Sequence, residues 1–440
     1  MKRARRRLAR AAYLAAALLV CARAGAELPV VVLLSWDGVR HDYPDRSPLP
    51  GLERMARDGV RAARLLPVFP TNTFPNHVSL ATGAPADVHG IVGNTFRDTE
   101  RGVFDYADDA SWIDAEPIWV AAERQGLRAA AFFWVGSETD WQGVGASLRR
   151  SPFDSGIPES TKVEQILAWL DLPASERPRL ILSWWHGADA AGHRRGPDDP
   201  GVAKQMRAQD AALVRLLAGL DARRVWDWLT LVLVSDHGMT HVSEGIDLAG
   251  LLARNGIAAR VLPGGGVAHV ALREAGQRDR ALDVLAAIPG VRAWASDALP
   301  AALRYTRPGR NGDIVALADP PSAFLPASAL RAAGADTPRA TGLRRGGHGY
   351  AADHPDMSGV FLALGRCVPA GRVLGDVRVI DVAPTLAQLL SIQPPRHAEG
   401  QPIPGLSAAP PGTSGACSAS ASEMRGRSRS AAGRGAASPD

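Results

Sequence analysis

Long apolar runs without interspersed polar residues recur along the chain. They are VVVLLS (30–35), RAAAFFW (128–134), RLILSWW (179–185), LTLVLVS (229–235) and GVFLALG (359–365). Apolar runs without alternation are typical of strands buried on both faces of a parallel sheet. Between them, segments such as TKVEQILAWLDL and DVAPTLAQLLS repeat apolar residues at helical spacing. The alternation predicts an α/β fold in which helices flank a mainly parallel central sheet.

The pattern changes between residues 255 and 320, where apolar segments become shorter and alternate with polar residues. Alternation with period two predicts half-buried strands, and the segment ALDVLAAI predicts a short helix. A chain of 440 residues is long enough for one large domain that carries an insertion. We therefore predict a catalytic domain over residues 27–254 and 321–405, with an inserted α+β subdomain over residues 255–320.

The two ends of the chain differ in composition from the body. Residues 1–26 combine an arginine-rich start, an apolar stretch over residues 11–22 and small residues before position 27. This pattern predicts a signal peptide and export to the periplasm or the medium. The apolar stretch is too short for a stable membrane span. Residues 406–440 are rich in Ser, Gly, Ala and Arg, which predicts a disordered low-complexity tail.

The net charge bears on nucleic-acid binding, and the cysteine positions bear on disulfide bonds. Removing the seven Lys and Arg of residues 1–26 changes the formal net charge from +5 to −2. The basic composition therefore does not indicate binding to a nucleic-acid duplex. Cysteines occur only at positions 21, 367 and 417. We assign no disulfide, because Cys417 lies in the predicted tail, and a pairing with Cys367 stays open.

Acidic and histidine side chains directly follow three of the apolar runs. Asp37 follows the first run, Asp189 and His193 follow the third, and Asp236 and His237 follow the fourth. In an open parallel sheet, ligands bind beyond the carboxyl ends of the strands, so these side chains are expected to lie together. Carboxylate and neutral imidazole are ligands that suit zinc and similar divalent ions.

Sequence spacing refines this metal site. Asp189 and His193 are one helical turn apart, so both can reach one ion. His348 lies between two glycines in GGHGY, where the backbone can approach closely, and it is a candidate third ligand for the same ion. The adjacent side chains of Asp236 and His237 are expected to point in different directions, toward two ions.

The segment PVFPTNTFPNHVSLATG (67–83) contains a candidate nucleophile. Thr73, with Pro75 in the first turn, has the form of a helix N-cap, and Gly83 has the form of a helix end. A helix N-terminus presents free N–H groups and a positive dipole end, which favour an alkoxide or a phosphoryl oxygen. A hydroxyl at that position beside a metal ion loses its proton more easily and is a candidate nucleophile.

These residues resemble the nucleotide pyrophosphatases/phosphodiesterases of the alkaline phosphatase superfamily. The motifs that carry the resemblance are SWDG, FPTNTFPNHVSLATG, HGIVGN, FWVGSE, DAAGHRRGP, SDHGM and GGHGY. The resemblance implies an alkaline-phosphatase-like fold and hydrolysis of a small-molecule phosphodiester through a phosphothreonine at Thr73. It also implies two zinc ions, one bound by Asp189, His193 and His348 and the other by Asp37, Thr73, Asp236 and His237.

The same resemblance assigns substrate contacts. Asn94, together with the Thr73 backbone N–H, is expected to hold a phosphoryl oxygen, and Phe74 and Phe153 are expected to sandwich a nucleobase. Two positions depart from the nucleotide-hydrolysing members, which often have Lys in place of Asn72 and commonly have Tyr in place of Phe153. These departures leave substrate preference open.

Alternative functions are a phospholipid-headgroup phosphodiesterase and a phosphomonoesterase of the same superfamily. A catalytically inactive binding protein is disfavoured, because the matched positions all hold competent ligands or a competent nucleophile. The oligomeric state is not determined by the sequence.

Overall fold

The computed structural model describes residues 28–406. The predicted signal peptide and almost all of the predicted tail lie outside the described residues. Cys367 is disulfide-bonded, which differs from the assignment of no disulfide, while Cys21 and Cys417 lie outside the described range. Within residues 28–406, no helix has both the length and the apolar character needed to cross a membrane.

Strands and helices alternate along most of the described chain. The strands are β1 (Val30–Trp36), β2 (Val60–Ala62), β3 (Leu65–Leu66), β4 (Thr95–Asp98), β5 (Gly102–Asp105), β6 (Ala129–Phe132), β7 (Leu148–Arg150), β8 (Leu180–Trp185), β9 (Leu229–Val234), β10 (Thr240–Ile246), β11 (Ala259–Gly264), β12 (Val267–Leu272), β13 (Val291–Ala295), β14 (Ile314–Ala318), β15 (Ser322–Phe324), β16 (Arg339–Gly347), β17 (Phe361–Gly365), β18 (Arg372–Leu374) and β19 (Val377–Arg378). The α-helices are α1 (Pro50–Asp58), α2 (Thr73–Thr82), α3 (Ala86–His89), α4 (Ile118–Arg124), α5 (Glu159–Leu170), α6 (Asp189–Arg195), α7 (Pro200–Ala222), α8 (Leu248–Arg254), α9 (Arg278–Ala286), α10 (Ala327–Ala332) and α11 (Val382–Leu390).

The central sheet has eight strands in the order β18-β2-β17-β9-β1-β8-β6-β7. All five predicted apolar runs form strands of this sheet, so the predicted central sheet is confirmed. β1 lies in the middle and pairs in parallel with both β8 and β9. β17 is antiparallel to both of its neighbours, although its uninterrupted apolar run is typical of a parallel strand. An uninterrupted apolar run indicates burial on both faces but does not indicate strand direction.

Helices cover both faces of this sheet. Val31 and Leu33 of β1 belong to a core formed with α2, α4 and α11. Val30, Val32 and Leu34 belong to a second core, formed with α1, α5 and α7 on the opposite face. Because successive side chains of a strand point to opposite faces, a strand with a helix layer on each side needs apolar residues at every position.

Within residues 28–406, four smaller sheets accompany the central one: β19-β3 and β4-β5 are two-stranded, and the other two are larger. β11, β12, β14 and β13 form a four-stranded antiparallel sheet within the range predicted as an inserted subdomain. β15, β10 and β16 form the other, and β16 ends one residue before His348. The assignment of residues 255–320 as a separate subdomain stays a prediction.

Residues 304–310 lie in the connection between β13 and β14 and form a bridging segment to residues 90–98. The Arg310 side chain is buried and donates to Asp98 Oδ2 at 2.9 Å and to Gly90 O at 2.6 Å. The Tyr305 hydroxyl donates to Val92 O. A buried guanidinium requires such partners, because an unpaired buried charge is costly. The bridging segment therefore holds the loop that leads to Asn94.

Candidate active site at the carboxyl edge of the sheet

Side chains that follow β1 and β9 form a first group, the Asp37 cluster (Asp37, Asp236 and His237). His237 Nε2 lies 3.6 Å from Asp37 Oδ1 and 3.2 Å from Asp236 Oδ2. Asp236 Oδ1 accepts a hydrogen bond from the backbone N–H of Gly38 at 3.1 Å. The side chains of Asp236 and His237 thus converge, and the expectation that they point in different directions is wrong.

Side chains from α6 and from the end of β16 form a second group, the Asp189 cluster (Asp189, His193 and His348). Asp189 Oδ1 lies 3.2 Å from His193 Nε2 and 3.6 Å from His348 Nε2. The predicted spacing of Asp189 and His193 on one helical turn is present in α6. A side chain at Gly38 would collide with Asp189, since an added Cβ would lie 2.8 Å from its Cα. Glycine at this position therefore permits the close approach of the two strand ends.

The hydrogen bonds of the two histidines in the Asp189 cluster fix the direction of their rings. His193 Nδ1 donates to Gly346 O at 3.1 Å, and His348 Nδ1 donates to Thr71 O at 2.9 Å. These bonds leave the two Nε2 atoms facing each other across 3.0 Å. Histidine ligands of metals characteristically donate their other ring N–H to a carbonyl or carboxylate in this way.

The two clusters are in contact through their imidazoles. The rings of His237 and His348 stack with centroids 3.8 Å apart. One set of ligand atoms from Asp189, His237 and His348, and another from Asp37, Asp236 and His237, each lie within 4.8 Å of one another. His237 therefore belongs to both sets. The structure brings together all six predicted carboxylate and imidazole ligands, while their roles as ligands stay predictions.

The electrostatics of the site fit divalent cations. Asp37 Oδ1 and Asp189 Oδ1 are buried, and neither accepts a hydrogen bond from residues 28–406. Burial raises the pKa of Asp37 well above its usual range, and the charges of Asp236 and Asp189 raise it further. Burial lowers the pKa of His348 well below its usual range, with added repulsion from His237 and His193, so its imidazole is neutral. Close carboxylates with free oxygens, together with imidazole nitrogens, form a ligand set that suits zinc and similar divalent ions.

Thr73 lies beside both clusters at the start of α2. Its Oγ1 is 3.2 Å from His237 Nε2. The N-cap residue is Asn72, whose carbonyl accepts from Asn76 N–H, and Thr73 is the first helical residue. The prediction that Thr73 is the N-cap is therefore wrong, whereas Gly83 does end the helix in a left-handed conformation. The Thr73 hydroxyl faces the Asp37 cluster instead of capping the helix.

Asn94 lies next to the first turn of α2. Its Oδ1 accepts the Phe74 backbone N–H at 2.9 Å, and its Nδ2 donates to the Tyr106 hydroxyl at 3.3 Å. The amide nitrogen is therefore held near Thr73, where the free N–H groups of a helix start favour anions. The predicted role of Asn94 in holding a phosphoryl oxygen stays a prediction.

The two candidate aromatic walls have different surroundings. Phe74 is buried and packs edge-on against Phe104 and Tyr106. Phe153 is 42% exposed, and one face of its ring stacks on Trp184 with centroids 4.8 Å apart. Within residues 28–406 no direct ring contact joins Phe74 to Phe153. A nucleobase sandwich between them stays a prediction.

Several side chains at this site were not predicted from the sequence. His77 donates from Nδ1 to Thr73 O at 2.9 Å and lies 3.3 Å from Asp236 Oδ2. Its position four residues after Thr73, one turn along the same helix, is the only local signal for it. Trp184 Nε1 donates to Asp37 Oδ2 at 3.1 Å, and the Thr71 hydroxyl accepts from Gly349 N–H at 2.9 Å. These contacts join distant segments and leave no local pattern.

Comparison with known proteins finds relatives that are described as pyrophosphatases or phosphodiesterases. A sequence profile of the family described as type I phosphodiesterase / nucleotide pyrophosphatase matches residues 31–351. The chain is 32% identical over 226 residues to ectonucleotide pyrophosphatase/phosphodiesterase family member 3 of Mus musculus, covering 50% of this chain and 26% of that protein. It is 31% identical over 356 residues to an ectonucleotide pyrophosphatase/phosphodiesterase of Caenorhabditis elegans, covering 78% and 44%. It is also 34% identical over 227 residues to venom phosphodiesterase CdcPDE of Crotalus durissus collilineatus, covering 50% and 27%.

These alignments span less than half the length of each curated relative. Among solved structures, murine ectonucleotide pyrophosphatase/phosphodiesterase 5, an inactive threonine-to-alanine variant in complex with AMP, superposes with a TM-score of 0.75 at 27% identity. The superposition covers 84% of this chain and 96% of that one. This likeness confirms the predicted alkaline-phosphatase-like α/β fold.

Proposed function

The chain belongs to the type I phosphodiesterase/nucleotide pyrophosphatase family, and from that premise we propose that it hydrolyses phosphodiester or pyrophosphate bonds of nucleotide-like substrates. The observation that carries this proposal is the position of the Thr73 hydroxyl, 3.2 Å from His237 Nε2 at the start of α2. A hydroxyl at a helix N-terminus, facing Asp and His side chains, is suited to attack phosphorus. The AMP complex of the murine relative supports a nucleotide-type substrate.

Two zinc ions are part of the proposal. The Asp189 cluster would hold one ion, and the Asp37 cluster with Thr73 would hold the other. The unpartnered oxygens of Asp37 and Asp189 and the facing Nε2 atoms of His193 and His348 support this assignment. When bound, such ions stabilise negative charge on the attacking and leaving oxygens.

Thr73 and Asn94 have different roles in the proposed hydrolysis. Thr73 Oγ1 gives up its proton and attacks phosphorus, the bond between phosphorus and the leaving oxygen breaks, and a proton passes to the leaving oxygen, which departs as an alcohol or a phosphate. Asn94 Nδ2 and the Thr73 N–H hold a non-bridging oxygen, where charge builds up in the transition state. Water next attacks the phosphothreonine, and the Oγ1–P bond breaks to restore the Thr73 hydroxyl.

Export to the periplasm or the medium is the second part of the proposal. It is supported by the leader-like composition of residues 1–26, which lie outside the described range. Mature protein is expected to begin near Glu27. N-terminal sequencing of protein recovered from the periplasm or the medium tests this, and an intact Met1 would contradict it.

A comparison of Thr73→Ala with Thr82→Ala tests the proposed nucleophile. Both threonines belong to α2 and both are buried, but the Thr82 hydroxyl donates to Val78 O, away from the site. On zinc-loaded protein, Thr73→Ala is expected to abolish turnover of a nucleotide diester while thermal stability stays close to wild type. Thr82→Ala is expected to keep the wild-type rate.

The substrate panel includes a phosphomonoester and a glycerophosphodiester beside the nucleotide diester. Faster cleavage of the monoester would identify a phosphomonoesterase, and faster cleavage of the glycerophosphodiester would identify a lipid-headgroup enzyme. Retained activity in Thr73→Ala would refute the phosphothreonine step.

A further inference from the structure

Tyr106 lies beside Asn94 because the β4–β5 hairpin returns the chain to its starting point. Its backbone N–H donates to Asn94 O at 3.0 Å, so the two residues flank the open end of the hairpin. Tyr106 has a φ of 47°, in the left-handed region that few residues with a Cβ adopt. Unusual backbone conformations of this kind concentrate at functional sites.

The Tyr106 side chain faces the site with both its ring and its hydroxyl. The ring meets Phe74 edge-on, with centroids 5.2 Å apart, and the hydroxyl accepts from Asn94 Nδ2 at 3.3 Å. Tyr106 is 59% exposed, so a ligand has access to it. Within residues 28–406, no acceptor takes the hydroxyl proton.

The hydroxyl end of Tyr106 is close enough to the metal-binding candidates to be affected by their charges. Partial burial raises the pKa of Tyr106 above its usual value, the bond from Asn94 opposes this, and the charges of Asp189 and Asp37 raise it further. The phenol therefore keeps its proton at neutral pH and acts as a donor.

We propose that the Tyr106 hydroxyl donates a hydrogen bond to the phosphoryl group of the substrate, next to Asn94. The inference rests on the proposed function, in which that group lies between Thr73 and Asn94. Because the phenol oxygen already accepts from the Asn94 amide, its own O–H is free for a ligand oxygen. Two neutral donors on one side of the phosphoryl group then stabilise the negative charge of the transition state.

The test compares Tyr106→Phe with wild type on two diesters, one a nucleotide and one without a base. The phosphoryl group is common to both, so Tyr106→Phe is expected to lower kcat/KM about 10- to 100-fold on each, as for a lost hydrogen bond to a charged group. Tyr43→Phe is the matched control, since the Tyr43 hydroxyl has no hydrogen-bond partner within the described residues and lies outside the site. Its rates are expected to stay within about twofold of wild type.

Binding of inorganic phosphate to Thr73→Ala protein gives a second readout that does not depend on turnover. Adding Tyr106→Phe to this protein is expected to weaken phosphate binding about tenfold. Unchanged kcat/KM in Tyr106→Phe, or unchanged phosphate affinity in the double variant, would overturn the inference. A loss confined to the nucleotide diester would also overturn it, because the hydroxyl would then serve the base or the sugar. If wild-type protein cleaved neither diester, the proposed function would be refuted, and the proposed Tyr106 contact would be refuted together with it.

Discussion

Replacing Trp184 by phenylalanine tests whether one indole N–H prepares Asp37 to bind a cation. Trp184 Nε1 donates to Asp37 Oδ2 at 3.1 Å, and the Trp184 ring stacks on Phe153. Phenylalanine keeps an aromatic ring in this position and removes the donor. The expected result is a lower affinity for the metal ion that we propose in the Asp37 cluster.

The size of the expected loss in metal affinity follows from the charge of the acceptor, the Asp37 carboxylate. A hydrogen bond to a charged group contributes about 1.5 to 3 kcal/mol, which corresponds to about 10- to 150-fold in affinity. Loss of an outer hydrogen-bond partner of a metal ligand typically costs about 10- to 100-fold, in the same range.

The loss of metal affinity is expected to depend on pH. Burial and the charges of Asp236 and Asp189 already raise the pKa of Asp37, whereas the Trp184 bond lowers it. Without that bond the pKa rises further, and a proton competes more strongly with the metal. The loss of affinity is therefore expected to be larger at pH 6 than at pH 8.

The assay titrates zinc-loaded protein with a chelator and measures bound zinc and turnover at each step. Trp185→Phe is the matched control, because Trp185 is the next residue of β8 and its Nε1 donates to Ser183 Oγ on the opposite face of the sheet. If Trp184→Phe held zinc as tightly as wild type, or if Trp185→Phe lost as much affinity, the reasoning about Asp37 would be refuted.

Three further predictions follow from the site and its surroundings. Phe153→Ala is expected to lower kcat/KM for a nucleotide diester about 5- to 150-fold through lost stacking and to leave a base-free diester almost unaffected; equal losses would show a structural role. His348→Ala is expected to remove about one equivalent of zinc and to reduce turnover by orders of magnitude, and full zinc content with normal rates would contradict this. Burial lowers the pKa of His269 to about 4 from 6.5. Because the folded state disfavours the protonated form of His269, its contribution to the free energy of unfolding is complete above pH 6.5. About 3 kcal/mol of that free energy is lost as the pH falls from 6.5 toward 4. Urea unfolding of His269→Gln is expected to show a smaller loss over that window than wild type, and an equal loss would contradict the assignment.

The sequence predicted the features that depend on local pattern. The apolar runs predicted the central strands, since burial on both faces requires apolar residues at every position. The polar residues that follow β1, β8 and β9 predicted the meeting of Asp37, Asp189 and Asp236, because parallel strands end at the same edge. Strand direction was not predictable for β17, whose antiparallel pairing leaves no mark in its own residues.

The contacts that support the site could not be predicted, because they join residues far apart in sequence. Trp184 and Asp37 are 147 residues apart, and His348 and Thr71 are 277 residues apart. Local spacing was also insufficient at the start of α2. The sequence favoured Thr73 as the cap, whereas the fold turns its hydroxyl toward His237. Long-range packing overrides local preference at such positions.

The bridging segment has a consequence for any attempt to shorten this protein. Arg310 and its acceptor Asp98 are separated by 212 residues, yet their bond ties the loop of Asn94 to the connection between β13 and β14. Local unfolding of one segment leaves a charged or polar group of the other without its hydrogen-bond partner. The two segments are therefore expected to unfold together in one cooperative step. The chain is therefore not expected to tolerate truncation near residue 255, although its sequence pattern changes there. A shortened version of this chain is therefore expected to need the small antiparallel sheet, although none of the predicted ligands lies in it.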